Sequence, residues 1–380
     1  MLVTPGRSWL YLGHPDIVKD VVRSRDDFPR CVELTEVLDV FGPNVGTPKA
    51  SDMIRHWADR PSVRSTANDR RTLSLDLSYK DSLKLILEHC ILIIVMGPKL
   101  FTNTLWLPRK YRQLGEAVTA FQSFMTDMYE SEKGKVDQGI SGTTSSRTFL
   151  SSLAKASPDA KPGEDLTERE IYGNIFVINF ASHDTSAHAS TFTIYFLVVN
   201  PAVQDWLSEE LHAVLGHTPS QEWDFTTGFP RLKCCLAVLY ETIRLYTPIQ
   251  IIKWMKEKTQ TLNVGDKAIA LPLNTMMSKT KRTPQGEGRG VKEEEFVDAA
   301  HSLVGPKVVA TVPGEVSQVE FVATMAPLFC EWRVDPANFE GETFEAARDQ
   351  VLDLIKNDSS MVLLQQMLHP ERAPLAWSKR

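Results

Sequence analysis

The chain has 380 residues, of which 42% are apolar and 24% charged, and a net charge of −6. This is a globular composition with enough apolar material for a large core, and its acidic balance argues against broad polyanion binding, so no nucleic-acid partner is expected. The five cysteines are odd in number and show no C-x-x-C spacing, which excludes a disulfide framework and points to a reducing compartment.

The opening MLVTPGRSWLYLG lacks the basic and long apolar regions of a signal peptide. No window holds eighteen uncharged apolar residues, so no transmembrane segment is expected, and the chain reads as cytoplasmic or membrane-peripheral. SWLYLG at 8–13 predicts a strand, and HPDIVKDVVRS at 14–24 a helix with Pro15 at its start. Residues 51–72 are polar and broken by Pro61, poor material for a core element. Helical periodicity covers 81–97 and 109–131. The intervening 97–108 is a loop with large apolar side chains, expected to pack inward.

Residues 133–166 are rich in Gly, Ser, Thr and Pro and predict a flexible loop. Thr167 and Glu170 then form a capping box that opens the longest helix, about 168–199, which stops at Asn200-Pro201. Its first part is apolar on nearly every face and must be buried all round. Helices follow at 201–216 and roughly 230–246. From 249 to 277 the period changes to two around Asn263-Val264-Gly265-Asp266, a hairpin signal. A charged, Gly-rich loop is expected over 279–296.

The stretch 305–325 carries two Gly/Pro turns, Gly305-Pro306 and Pro313-Gly314, and then a helix start. Ser317 with Glu320 reads as a capping box, and Val316 with Phe321 as a hydrophobic staple, for a helix over about 318–331. The C-terminal VLLQQMLHPERAPLAW suggests one more strand pair. The sum is a mainly α fold with a minor β-sheet, read as one domain over 1–380, with no internal repeat.

Two features can carry chemistry. The long helix has a polar notch, Ala-Ser-His-Asp-Thr-Ser-Ala-His at 181–188, where Ser182, Asp184 and Thr185 are the candidate catalytic groups. A carboxylate beside a hydroxyl at mid-helix can relay protons into a cavity, and equally a hydroxyl bonded back to the i−4 carbonyl can merely bend the helix. His183 and His188 are five apart and lie on different faces, while Asp184 and His188 alone are too few for a metal, so no metal site is expected. The second feature is Glu241 and Arg244, i and i+3 on one helix among apolar residues, a partly buried ion pair that would lock the fold.

The order of these features resembles the cytochrome P450 family of heme-thiolate monooxygenases, most closely its fungal members. FASHDTSAH stands where that family has its oxygen-activating notch, and ETIRL where it has E-x-x-R. SQVEFVATMAPLF resembles the helix after the heme-binding loop, QMLHPERAPLAW the closing strands, and LVTPGRSWLYLGHPDIVKDVV the start of the domain. The resemblance implies a P450-like helical fold, heme b held by a cysteine thiolate, a hydrophobic small-molecule substrate, and a separate reductase as electron donor wherever heme is bound. Natural-product biosynthesis is the expected setting.

The chain departs from the family pattern where heme would be held. Counting from Gly305 puts Val309 at the axial-ligand position, and counting back from Gly314 puts Val312 there. No cysteine lies between Cys235 and Cys330. The family's Trp-x-x-x-Arg corresponds to Met53 and Trp57, Ser182 replaces a glycine in the notch, and only KEEEFVDA at 292–299 stands for the arginine-bearing segment that completes the triad with Glu and Arg. A block of helices has no counterpart between about Arg60 and Arg70, so the N-terminal half is expected to be incomplete, and no membrane anchor of the family's kind is expected. As written, the chain is expected to take no cofactor, with heme b restored if the gene has been misread. Three readings follow: an inactive remnant, a misread monooxygenase gene, or a heme-free catalyst of cyclisation, dehydration or isomerisation of a terpenoid or polyketide intermediate.

Overall fold

The computed structural model describes residues 2–4, 7–12, 15–24, 26–29, 31, 39–43, 78–89, 92–93, 101, 108–138, 150, 153, 166–216, 222–247, 252–255, 258–279, 315–337, 342–361 and 365–380. Its elements in chain order are strands β1 (Leu2–Thr4) and β2 (Arg7–Leu12) and helices α1 (Pro15–Arg23), α2 (Tyr79–Glu88), α3 (Arg109–Asp137), α4 (Glu168–Val199) and α5 (Pro201–Leu215). After a one-turn helix at Phe225–Gly228 come α6 (Lys233–Leu245) and strands β3 (Ile252–Met255), β4 (Gln260–Val264), β5 (Lys267–Leu271) and β6 (Thr275–Lys279). The described chain closes with α7 (Glu315–Glu331), β7 (Trp332–Pro336), α8 (Phe344–Asn357), β8 (Ser359–Met361), β9 (Gln365–Met367) and β10 (Leu375–Lys379). The mainly helical fold with small sheets is the one the periodicity predicts.

The chain divides into two compact units, residues 31–183 and residues 1–30 with 184–380. In the first unit, α2 starts on Ser78, whose hydroxyl accepts from the Asp81 amide at 3.2 Å. It ends at Glu88, Leu92 and Ile93 are again helical, and the rest of the expected stretch to 97 lies outside the described residues. Helix α3 runs past 131 to Asp137, so the first residues of the expected loop at 133–166 are helical, and most of the rest of that loop lies outside the described residues. Phe41, Phe121 and Phe176 form an aromatic cluster, with Phe41 and Phe176 centroids 4.9 Å apart. Gly42 and Gly173 let two backbones cross here. A Cβ on Gly173 would stand 2.3 Å from the Gly42 carbonyl oxygen, and Gly42 itself has φ +151.

Helix α4 begins with the predicted capping box. The Thr167 amide donates to Glu170 Oε2 at 2.8 Å, and the Glu170 amide to Thr167 Oγ1 at 3.3 Å. Its first turns bury Ile171, Asn174, Ile175, Phe176 and Val177 and leave Tyr172, Ile178 and Asn179 half-buried, so most but not all of this apolar surface is covered. The helix stops at Asn200, whose side-chain amide donates to the Phe196 carbonyl at 2.8 Å just before Pro201.

In the second unit one core gathers Phe192, Phe196 and Leu197 of α4, Leu207 and Leu211 of α5, Cys235 and Leu239 of α6, and Phe321, Met325 and Phe329 of α7. The sheet order is β1-β2-β6-β3, with β2 parallel to β6 and the other pairs antiparallel. The expected hairpin is β4–β5, which turns at Gly265 with φ +57. The C-terminal strands form the pair β8–β9 and the ribbon β7–β10.

Helix α7 corrects one expectation. It starts at Glu315, two residues before Ser317, so Ser317 is inside the helix and is not its N-cap. The Glu320 carboxylate is engaged elsewhere, by α4. The turn before α7, with Val309 and Val312, lies outside the described residues, as do Met53, Trp57 and the segment 292–299.

Candidate functional site

The polar notch sits a little past the middle of α4. The side chains of Ser182, His183 and Asp184 lie outside the described residues, while Thr185, Ser186 and His188 are half-buried. Ser186 Oγ donates to Glu320 Oε2 at 3.2 Å, across 134 residues of sequence. Two turns further along α4, Thr193 Oγ1 stands 3.1 Å from Thr242 Oγ1 of α6, both fully buried. One side of α4 is thus tied by hydroxyl groups first to α7 and then to α6. Residues i, i+3 and i+7 share a face, and Ser186, Ala189 and Thr193 follow that spacing.

Helix α6 carries the ion pair that the sequence predicts. Arg244 Nε donates to Glu241 Oε2 at 2.6 Å, with a second bond from its guanidinium to Oε1. The Glu241 carboxylate has no solvent exposure, and the Arg244 side chain is 40% exposed. The pair therefore neutralises a buried carboxylate from one side while the cation keeps part of its hydration. Tyr246, at the end of the helix, stacks on Phe192 with centroids 4.4 Å apart and donates to the Ile355 carbonyl at 2.6 Å. Burial pushes its hydroxyl pKa up to about 12.

Sequence reasoning missed Glu210. This carboxylate, on α5, accepts from the backbone amides of Lys233 and Cys234 at 2.8 Å, and from that of Cys235 at 3.3 Å. It caps α6 from another helix at the end where the macrodipole favours an anion. Only the acidic residue itself is visible in the sequence, because the contact joins positions more than twenty residues apart.

The family's axial heme ligand is a cysteine thiolate, and three of the described cysteines lie on α6 and α7. Burial, then the Glu210 carboxylate, push the Cys234 thiol well up, and Cys235 is fully buried with the same causes. Cys330 is the sixteenth of the 17 residues in α7, about 22 Å along the axis from the start of the helix at 1.5 Å per residue. It stands 3.9 Å from His212 Nε2, and burial raises its pKa too. Among the described residues no group of three or more His, Cys, Asp or Glu could hold a metal ion. No helix among them is long and apolar enough to cross a membrane.

The model of the family described as cytochrome P450 matches residues 75–278. The match ends in β6, ahead of both Gly/Pro turns. The chain is 24% identical over 317 residues to the phomenoic acid biosynthesis cluster cytochrome P450 monooxygenase of Leptosphaeria maculans, covering 71% of this chain and 53% of that protein. It is 25% identical over 325 residues to cytochrome P450 monooxygenase 124 of Postia placenta, covering 80% and 59% respectively. The chain thus spans little more than half the length of these two curated relatives. A crystal structure of a cytochrome P450 superposes with a TM-score of 0.55 over 97% of this chain and 92% of that one, at 14% identity, a likeness of fold alone.

Proposed function

This chain belongs to the cytochrome P450 family, and from that premise we propose that it is a P450-like protein of fungal-type secondary metabolism whose heme site is degenerate, so that as written it does not activate dioxygen. One observation carries this reading. No cysteine lies anywhere between Cys235 and Cys330, while the turn onto α7 offers valine at either candidate ligand position. The family's chemistry runs through an axial thiolate whose electron push favours O–O cleavage, and a valine cannot supply it. That the family match stops at 278 supports the same reading.

The chain is then an inactive remnant, or the misread form of a monooxygenase gene. Losses that fall in blocks between good matches favour the second of these. Sequencing the transcript across codons 50–75 and 280–315 separates the two. For the protein itself, the test is the spectrum of the purified chain after addition of hemin, reduction and carbon monoxide. A red-shifted thiolate-type Soret band would refute the degenerate site, whereas its absence is the expected outcome.

The notch favours a second reading, heme-free catalysis on a hydrophobic small molecule. Asp184 would be the acid or base, with Thr185 and Ser182 as hydroxyl partners, and proximity would supply most of the rate. Replacing Asp184 by Asn should then abolish turnover of a pathway intermediate with the fold intact, and unchanged product formation would refute it. A reductase is a partner only of a heme-bearing form.

A further inference from the structure

The bond from Ser186 to Glu320 gives the notch a second helix. Ser186 follows Thr185 and Asp184 directly on α4. Glu320 is the sixth residue of α7, and its neighbours Phe321 and Val322 are buried in the core that also holds Ala189 and Phe192. A hydroxyl–carboxylate bond at the edge of an apolar core is stronger than a neutral one, and it has direction. Turning α4 about its axis by one residue step, about 100°, would carry Ser186 away from α7 altogether. Phe192 and Thr193 hold α4 against Tyr246 and Thr242 further along the helix, and Ser186–Glu320 is the directional contact next to the notch itself.

We propose that Glu320 is a positioning residue of the notch: through Ser186 its carboxylate fixes the rotation of the α4 backbone beside Ser186 and so sets where Thr185 is presented. This rests on the reading of the notch as the functional site, but the positional claim has its own readout. The sequence pattern assigns Glu320 to a local capping box; the structure commits it to a contact 134 residues away.

The test compares the full-length chain with Glu320→Ala, Glu320→Gln and Ser186→Ala by hydrogen–deuterium exchange resolved to the peptide over residues 184–190. The peptide over residues 233–245 serves as control. Glu320→Ala and Ser186→Ala should each speed exchange in 184–190 by roughly fivefold to tenfold, the factor for losing about 1–1.4 kcal/mol of local stability. The control peptide should stay unchanged. Combining the two substitutions should add nothing to either alone, since both break one bond. Glu320→Gln keeps an oxygen that accepts from Ser186 without the charge and should give a rise of only about twofold to threefold. A uniform rise across both peptides would make Glu320 a general stabiliser and overturn the proposal, as would an unchanged 184–190 peptide in Glu320→Ala. A failed Asp184→Asn turnover test with the local exchange pattern intact would instead sink the site reading and leave the positioning claim standing.

Discussion

At the scale of single residues, the clearest constraints are places where nothing else fits. A Cβ on Gly173 would lie 2.3 and 2.4 Å from the backbone oxygens of Gly42 and Pro43, which have no side-chain freedom to yield. Gly173→Ala should therefore cost at least about 2 kcal/mol, the range for overpacking, read as a lower urea midpoint. A Gly173 variant as stable as the parent would contradict this crossing of backbones. The Glu241–Arg244 pair makes an opposite kind of demand. Arg244→Ala leaves a carboxylate with no exposure and its guanidinium gone, which predicts a loss of about 2–3 kcal/mol, less than for a wholly buried pair because Arg244 is 40% exposed. Replacing both with apolar residues of similar volume should recover much of that loss. The ion pair was legible in the sequence, since i, i+3 spacing fixes which side chains meet on a helix. Gly173 was not, because its partner at Gly42 is set by tertiary structure.

At the scale of elements, caps decided how well the sequence could be read. Thr167 and Glu170 define the start of α4 as their spacing predicts. The same spacing at Ser317 and Glu320 misled, because the helix already runs from Glu315 and Glu320 has a partner on another helix. A local motif is a reliable signal only where no distant group competes for its side chains. Helix α6 shows the converse. It has no capping side chain of its own at Leu232, and Glu210 supplies three bonds from outside. Glu210→Ala should lower stability by about 1–3 kcal/mol, while Glu210→Gln, which keeps an acceptor without the charge, should lose about half as much. Equal losses for the two would mean that charge plays the whole part. The β4–β5 hairpin and the lengths of α4 and α5 were readable because turn chemistry and period agree along them.

For the whole molecule, the two compact units each hold a tyrosine whose hydroxyl is raised to about 12 by burial, Tyr79 in one and Tyr246 in the other. Tyr79 donates to Asn179 Oδ1 at 2.6 Å and so needs its proton. A raised folded-state pKa means that the folded chain keeps protons the unfolded chain gives up above pH of about 10. The contribution of these two tyrosines should be flat up to pH of about 10 and fall between about 10 and 12, by up to about 2 kcal/mol for each, on top of a loss from the raised thiols that begins about one pH unit lower. Tyr79→Phe and Tyr246→Phe should each flatten part of that slope in urea titrations at pH of about 9 to 12. A slope unchanged in both variants would assign the alkaline loss to other groups. The family and its helical order were legible at this scale, since they rest on long periodic segments. What the notch does was not, for its chemistry depends on what fills the space in front of it.

The ribbon β7–β10 has a consequence for how the molecule meets its neighbours. Gln204 of α5 donates to the Val334 carbonyl at 2.9 Å and accepts from the Val334 amide at 2.8 Å, so a side-chain amide pairs with the strand as a neighbouring strand would. A strand edge left bare is a template for stray chains. Here the rung that such a chain would seize at Val334 is already taken from within, so an incoming strand finds that position on the β7 edge closed.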